Sequence, residues 1–228
     1  MVQKFGIGQP VPRSEDPRLL TGRGRYMDDN VLPRETRAYI LRSPHAHATI
    51  LSMDISTAKA APGVIEILTG QDYVDDGYGI LECTPKQKRR DGSPMFEPVN
   101  RVLVLDEVKM VGDYVALVIA ETLDQARDAA ELIEVDYDIL PSVSTPYEAA
   151  QPDAPKIWAD SEDNHCFVHT VGDKAATDAA FEAAAHVVKG RLPVNRSAHL
   201  TMEPRGAIGD YNSGMDSWLL YTGCHYPW

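Results

Sequence analysis

The residues best placed to do chemistry are Gly223, Cys224 and His225, which come directly after an apolar run at residues 218–222. That run and an earlier one at residues 206–211 are separated by a short polar turn that contains glycine, a pattern typical of a pair of short strands. Open sheets often bind ligands just beyond the end of a strand. The imidazole of His225 can also donate a hydrogen bond to an oxygen on a ligand or a metal. These three residues are therefore the candidate binding site.

Glu203 is the second candidate, and two interpretations of its carboxylate stay open. It can form a structural ion pair with its close neighbour Arg205, or it can act as a catalytic acid or base. The adjacent guanidinium favours the structural interpretation. A set of nucleophile, base and orienting group cannot be assembled from the sequence, since the Gly-x-Ser-x-Gly motif is absent. We therefore assign no catalytic residue.

Two histidines, His45 and His47, lie two positions apart in the segment Pro44-His-Ala-His-Ala. On a strand they would share one face and could ligate a metal together. Two imidazoles alone seldom hold a metal firmly, so ordinary packing is the favoured interpretation. We assign no metal ligand.

A basic cluster interrupts the loop-like stretch at residues 71–100, where glycine and proline are frequent; its members are Lys86, Lys88, Arg89 and Arg90. These side chains could bind a phosphate-bearing cofactor or an acidic partner subunit. A solvated loop is the favoured alternative, because runs of like charge are usually exposed to water.

The three cysteines exclude several classes of protein. Cys83, Cys166 and Cys224 lie far apart and form no Cys-x-x-Cys pair. The sequence therefore lacks the local motif of a zinc ribbon, a thioredoxin-like site or an iron–sulfur cluster held by this chain. Their odd number also argues against a disulfide framework.

The charge balance narrows the possible partners. There are 22 Lys and Arg against 34 Asp and Glu, a net charge of −12, which repels nucleic-acid phosphates and anionic lipids. No apolar run approaches the roughly 18 to 20 residues that span a bilayer, and residues 1–12 lack the basic and apolar segments of a signal peptide. We expect a cytoplasmic protein that binds no nucleic acid and does not insert into a membrane.

The elements that must position the candidate residues follow from hydrophobic patterning. Residues 1–36 are rich in proline and predict an irregular arm that needs docking to be ordered. Residues 114–120 are continuously apolar, as in a strand buried on both faces. Thr122 and Gln125 predict the start of a helix whose apolar face recurs at helical spacing. Other strands are predicted at residues 38–42, 48–55, 64–68, 102–105 and 134–139, with a short helix at 57–61.

Prolines and acidic residues at 141–165 predict a linker between two domains. The second domain is predicted to open with a strand at residues 167–171. A helix capped by Asp173 follows and runs to about residue 185, and extended chain at residues 187–194 then leads to the candidate site.

Several segments in order resemble the molybdenum-binding large subunit of the xanthine dehydrogenase and aldehyde oxidase family, especially its multi-subunit bacterial members related to carbon monoxide dehydrogenase. The resemblance spans nearly all 228 residues. The segments that carry it are Arg13-Ser-Glu-Asp-Pro-Arg-Leu-Leu-Thr-Gly-Arg-Gly-Arg-Tyr-Met-Asp-Asp, Arg42-Ser-Pro-His-Ala-His-Ala, Ala61-Pro-Gly-Val, Thr69-Gly-Gln-Asp, Val111-Gly-Asp-Tyr-Val-Ala, Ala129-Ala-Glu-Leu-Ile-Glu-Val-Asp-Tyr and Met202-Glu-Pro-Arg.

The resemblance implies an α+β fold with four parts. Residues 1–19 would form an N-terminal arm and residues 20–145 an α/β-hammerhead domain. Residues 146–165 would be a linker, and residues 166–228 the incomplete start of a molybdopterin-binding domain. Gly223, Cys224 and His225 would then be cofactor-binding residues.

The resemblance also implies a reaction. The family hydroxylates aldehydes, purines and other N-heterocycles with oxygen from water, at a molybdenum-pterin dinucleotide. Electrons would leave through iron–sulfur clusters and FAD on an iron–sulfur subunit and an FAD subunit. The other expected partners are the C-terminal remainder of the large subunit and a small-molecule substrate. The alternative is a non-catalytic, hammerhead-like interaction or assembly module.

The sequence departs from the family pattern in two places. His225 stands where the family commonly has a glutamine close to the metal's oxo or sulfido ligand, so that contact would be altered. Tyr114 stands where proline is usual. The family's glycine-rich cofactor loop and its glutamate general base would lie beyond residue 228, so the chain alone is not expected to catalyse.

Overall fold

A computed structural model describes residues 8, 11–84, 86–195, 197–198 and 200–224. Contacts divide the chain into a larger unit, Thr36–Val188, and a smaller unit made of Met1–Glu35 and Lys189–Trp228. Within the described residues no helix is both long and apolar enough to cross a membrane.

The described elements alternate between short helices and strands along the chain. The helices are α1 (Asp16–Leu20), α2 (Ser56–Lys59), α3 (Gly70–Asp75), α4 (Leu123–Glu131), α5 (Pro146–Ala149) and α6 (Lys174–Ala183), and a 3₁₀ turn covers Met27–Asp29. The strands are β1 (Arg37–Arg42), β2 (Ala48–Asp54), β3 (Val64–Thr69), β4 (Glu107–Val108), β5 (Tyr114–Ala120), β6 (Glu134–Ile139), β7 (Ala207–Asn212) and β8 (Ser217–Thr222).

The larger unit contains two three-stranded antiparallel sheets. One has the order β1-β5-β3, and the other has the order β4-β2-β6. The predicted strand–helix–strand unit is present as β2-α2-β3, but its two strands belong to different sheets. The chain therefore changes sheets at α2.

Strand β5 is the centre of the core and is buried on both faces, as predicted. Ala116, Val118 and Ala120 are fully buried and belong to the cluster that includes the apolar face of α4. Val115 belongs to a second cluster with Ala48 and Val108. Successive residues of a strand point to opposite faces, so β5 contributes to both clusters. Full burial of each valine stabilises the fold by about 1.5–3 kcal/mol.

Helix α4 begins where the sequence predicts. The Thr122 hydroxyl accepts a hydrogen bond from the Gln125 N–H at 3.3 Å, and it donates one to the Gln125 side-chain oxygen at 2.9 Å. The predicted apolar face is buried; its members are Ala126, Ala129, Ala130 and Ile133. This face docks the helix on β5.

Replacing Thr122 by alanine is expected to cost about 1 kcal/mol of stability, because the Gln125 N–H loses its acceptor. Thr122→Ser is the matched control, since serine caps a helix as well as threonine does. Urea denaturation of both variants measures the difference. An equal loss in the two variants would contradict the capping role.

Two predicted strands are wrong. Residues 102–105 and 167–171 form no strand in the structure. In the first segment the Val104 N–H bonds to the Tyr114 oxygen at 2.9 Å, and just before the second segment the Phe96 N–H bonds to the Cys166 oxygen at 2.9 Å. Leu103 is nevertheless buried, with only 5% of its surface exposed. Burial without a hydrogen-bonded ladder thus explains Leu103, whereas Val102 and Leu105 are exposed, at 40% and 37%.

The smaller unit contains the predicted strand pair and its turn. β7 and β8 pair antiparallel from Ala207 opposite Thr222 to Asn212 opposite Ser217. The Asn212 side-chain oxygen accepts hydrogen bonds from the N–H groups of Gly214 and Met215 at 3.0 and 3.1 Å. This side chain closes the turn.

The predicted helix after Asp173 is present as α6 in the larger unit. The Asp173 carboxylate accepts a hydrogen bond from the Ala176 N–H at 2.9 Å and caps the helix. Thr177 adds two bonds to the Asp173 carbonyl oxygen, from its backbone N–H at 3.1 Å and from its hydroxyl at 2.8 Å. Asp173 therefore fixes where the helix begins.

Candidate functional site

Gly223 and Cys224 lie directly beyond the paired part of β8. The ladder ends at the pair Ala207 and Thr222, and the Thr222 hydroxyl donates to the Gly206 carbonyl oxygen at 3.3 Å. Cys224 is exposed and has a free thiol. His225, the third candidate residue, lies outside the described residues. The backbone of Gly223 and Cys224 is thus placed at the open end of a hairpin and is not used for strand pairing.

Glu203 lies beside Gly223. A Cβ atom added to Gly223 would be 3.4 Å from Glu203 Oε1, and this oxygen accepts a hydrogen bond from the Met27 N–H at 3.0 Å. No ion pair between Glu203 and Arg205 occurs among the described residues. The structural interpretation of Glu203 is therefore supported by a backbone donor instead of the predicted guanidinium.

Met27 is a site contact that sequence reasoning missed. Its backbone N–H bonds to a carboxylate 176 residues away, and its Cγ would be 3.1 Å from a Cβ added to Gly206. A backbone donor leaves no mark in the type or spacing of side chains, so no sequence signal could have identified it.

The histidines His45 and His47 do not form a joint site. Both ring nitrogens of His47 lie near oxygen atoms, with Nδ1 2.8 Å from the Pro141 oxygen and Nε2 2.7 Å from Glu107 Oε1. His45 contacts the ring of Tyr137 edge-on at 4.9 Å between centroids. His47 is 5% exposed. The favoured packing interpretation agrees with these contacts.

Glu107 is the electrostatic partner of His47. Burial raises the pKa of its carboxyl group. Hydrogen bonds from Lys109 Nζ at 2.7 Å and from His47 at 2.7 Å outweigh that effect, so the Glu107 pKa lies below its ordinary value. The carboxylate therefore stays ionised between these two nitrogen groups.

Two members of the basic cluster have acidic partners within the chain. Arg89 forms an ion pair with Glu162 at 3.2 Å and donates to the His165 oxygen at 3.1 Å. Lys86 pairs with Glu97. The basic surface available to a phosphate is consequently smaller than the sequence indicates. Lys88 and Arg90 are exposed.

Groups of three or more His, Cys, Asp or Glu side chains that could hold a metal ion do not occur in the described part of the chain. The features described at the open end of the hairpin are a glycine, an exposed thiol and the nearby Glu203 carboxylate. This arrangement can bind a polar ligand through backbone groups.

Two family models match the chain. Residues 21–141 match the a/b hammerhead domain of aldehyde oxidase and xanthine dehydrogenase. Residues 157–228 match the molybdopterin cofactor-binding domain. Gly223 and Cys224 lie inside the second match.

Similar proteins include large subunits of several oxidoreductases. The carbon monoxide dehydrogenase large chain of Afipia carboxidovorans is 37% identical over 84% of this chain and 24% of the relative. The nicotine 6-hydroxylase large subunit of Paenarthrobacter nicotinovorans is 35% identical over 97% of this chain and 26% of the relative.

Among solved structures, quinoline 2-oxidoreductase from Pseudomonas putida 86 matches with a TM-score of 0.81 and 35% identity, over 96% of this chain and 27% of that one. The chain thus spans about a quarter of the length of these three proteins.

Proposed function

Since the chain belongs to the aldehyde oxidase and xanthine dehydrogenase family, we propose that it is the first part of a molybdenum hydroxylase large subunit and forms one wall of its cofactor and substrate site. The predicted fold class, an α/β-hammerhead domain and the first part of a molybdopterin-binding domain, is confirmed. One observation carries the proposal. Gly223 and Cys224 lie beyond the β7–β8 ladder, inside the molybdopterin-domain match.

The division of the chain remains part of the proposal, with an arm at residues 1–19, the hammerhead domain at 20–145, a linker at 146–165 and the molybdopterin-binding start at 166–228. The proposed linker has its own internal contacts. The Asn164 amide donates to the oxygens of Ala149 and Pro155 at 3.1 and 3.0 Å, which would hold the segment in a fixed path.

A molybdenum-pterin dinucleotide suits the residues at the hairpin end. The edge of a pterin displays both hydrogen-bond donors and acceptors, and the backbone of Gly223 and Cys224 offers both kinds of group outside the ladder. The absence of a side chain at Gly223 allows close approach of a planar ligand. When bound, this cofactor would supply oxidation of a C–H bond with oxygen from water, which releases two electrons and two protons. Its residues would be Gly223, Cys224 and His225.

The proposed partners follow from the reaction and from the surface of the smaller unit. An iron–sulfur subunit and an FAD subunit would take up the electrons, and a cytoplasmic location is proposed. Apolar side chains of this unit are widely exposed, a feature of surfaces that bind other chains. We assign this surface to the C-terminal remainder of the large subunit. Examples are Leu192, Val194, Leu200 and Trp218, at 90%, 93%, 96% and 75% exposure.

The substrate is proposed to be an aldehyde or an N-heterocycle. The relatives named as carbon monoxide dehydrogenase, nicotine 6-hydroxylase and quinoline 2-oxidoreductase differ in the molecule that their names give. Two of these three names give an N-heterocyclic molecule, nicotine or quinoline. An N-heterocycle is therefore the first substrate class to test.

Co-expression of the chain with the C-terminal remainder and the two redox subunits tests the function. Molybdenum and pterin content are measured, together with oxidation of N-heterocycles and aldehydes with an artificial electron acceptor. Cofactor and turnover are expected in the assembled enzyme and not in the isolated chain.

Either of two results would change the conclusion. Stoichiometric molybdenum and pterin on the isolated chain would contradict the need for the remainder. A folded complex with neither cofactor nor turnover would support the alternative, an interaction or assembly module. The downstream reading frame gives a simpler check, since the proposal expects a Gly-Gly-x-Phe-Gly stretch and a later glutamate there.

A further inference from the structure

One carboxylate, that of Glu203, joins two distant parts of the smaller unit. Its Oε1 accepts a hydrogen bond from the Met27 N–H at 3.0 Å across 176 residues of sequence. On the hairpin side the same oxygen would be 3.4 Å from a Cβ at Gly223. Glu203 therefore bonds to the 3₁₀ turn of the N-terminal arm and lies beside Gly223 of the candidate site.

A second contact brings the same two segments together. A Cβ at Gly206 would lie 3.1 Å from Met27 Cγ, closer than ordinary packing. The carbonyl oxygen of Gly206 accepts from the Thr222 hydroxyl at 3.3 Å, at the last pair of the ladder. The Met27 side chain thus lies against Gly206, the residue before β7, at the open end of the hairpin.

The 3₁₀ turn holds the Met27 N–H in a defined direction. The Asp29 carboxylate accepts from the Tyr26 N–H at 2.8 Å. The Asn30 amide donates to the Tyr26 oxygen at 3.0 Å, and its own oxygen accepts from Arg25 at 3.0 Å. With the turn closed by these bonds, the donor reaches Glu203 in a preorganised geometry.

We propose that Glu203 is a positioning residue, which ties the arm to the hairpin and fixes the backbone of Gly223 and Cys224 for cofactor binding. We name Met27, Glu203, Gly206 and Gly223 the arm clamp. The inference rests on the proposed function and adds a role for the N-terminal arm in it. A hydrogen bond from a neutral N–H to an ionised carboxylate is stronger than a neutral pair, so one bond is an effective tie.

The test uses the assembled holoenzyme with three substitutions. Glu203→Ala removes the acceptor, whereas Glu203→Gln retains an oxygen that can accept from Met27. Met27→Pro removes the donor from the other side, at the first position of the 3₁₀ turn, where proline is tolerated. Asp210→Ala, an exposed acidic residue on β7, is the matched control.

Three readouts are compared. Hydrogen–deuterium exchange of the Asp29 and Asn30 amides, which close the 3₁₀ turn, is expected to accelerate about tenfold or more in Glu203→Ala and Met27→Pro, because the turn loses its hydrogen bond to Glu203. The kcat is expected to fall about 10- to 100-fold with KM unchanged, since a small displacement of reacting groups has an effect of that order. The electron paramagnetic resonance signal of the molybdenum centre should shift in the same variants.

Asp210→Ala should resemble the wild type in all three readouts. Glu203→Gln should lie between the wild type and Glu203→Ala, because a neutral amide oxygen is a weaker acceptor than a carboxylate. Unchanged exchange of the Asp29 and Asn30 amides in both Glu203→Ala and Met27→Pro would overturn the clamp. Faster exchange with unaltered spectrum and kcat would show a structural tie without a positioning role, and would also overturn the proposal. If Glu203→Ala does not fold, the comparison of Met27→Pro and Glu203→Gln with the wild type tests the proposal. Failure of the proposed function is distinct, because the wild type itself would then lack molybdenum.

Discussion

Replacing Gly70 by alanine is expected to destabilise the larger unit by about 1–3 kcal/mol or more, the cost of overpacking a closely packed site. The added Cβ would lie 2.0 Å from the Val104 carbonyl oxygen, 2.6 Å from its carbonyl carbon and 2.9 Å from Leu105 Cα. These neighbours are backbone atoms. Backbone atoms cannot move away by a change of rotamer, as a flexible side chain can.

The backbone on both sides of this contact is held in place by hydrogen bonds. Gly70 is the first residue of α3, whose start is fixed by Thr69 and Asp72: the Thr69 N–H donates to the Asp72 carboxylate at 2.7 Å, and the Thr69 hydroxyl donates to it at 2.6 Å. On the other side, the Val104 N–H is bonded to the Tyr114 oxygen at 2.9 Å. A shift would therefore break a helix cap or a bond to the central strand.

Gly79→Ala is the matched control for Gly70→Ala. A Cβ at Gly79 would meet nothing within 4 Å, so this substitution should leave the stability nearly unchanged. Urea denaturation midpoints of both variants measure the difference. If the Gly70→Ala and Gly79→Ala proteins are equally stable, the backbone of residues 103–105 can shift more easily than these hydrogen bonds indicate.

Replacing His47 by alanine is expected to cost about 2–4 kcal/mol. Two contacts of the buried imidazole are lost, one to the Pro141 oxygen at 2.8 Å and one to Glu107 at 2.7 Å; an ordinary hydrogen bond contributes about 0.5–1.5 kcal/mol and one to a charged group about 1.5–3 kcal/mol. His47 joins the start of β2 to β4 and to the chain that follows β6. Its removal loosens all three.

His45→Ala is the control for this variant. His45 is only partly buried, and its edge-on contact with Tyr137 contributes about 0.5–1.5 kcal/mol. Denaturation of both variants at neutral pH should therefore rank His47→Ala as the less stable. The reverse order would mean that the Tyr137 contact matters more than the His47 hydrogen bonds.

The same contacts give the larger unit a dependence on pH through Glu107. Because the folded state lowers the pKa of this carboxyl group below its ordinary value of 4.5, its contribution to stability is present above about pH 4.5 and is lost as the pH falls through the lowered value. Stability measured from pH 6 to pH 3 should fall less steeply in Glu107→Gln than in the wild type. Parallel curves would show that, in solution, the contacts with His47 and Lys109 do not lower the pKa of Glu107.

The sequence by itself determined the elements whose bonds are local. Helix α4 and the turn of the β7–β8 hairpin could be predicted because Thr122 and Asn212 bond to groups two or three residues away. The burial of β5 on both faces was visible as a continuous apolar run. The family was recognisable from ordered motifs, and Gly223 and Cys224 stood out because they follow a strand.

The tertiary structure alone decided what depends on distant partners. Residues 102–105 are apolar like a strand, yet a strand exists only where a neighbour supplies a ladder. The partner of Glu203 is the N–H of Met27, a backbone group that every residue except proline has, so the sequence pointed to the adjacent Arg205 instead. His47 likewise finds its partners 60 and 94 residues away. Side-chain patterns record local geometry, whereas folding sets which distant backbone groups meet.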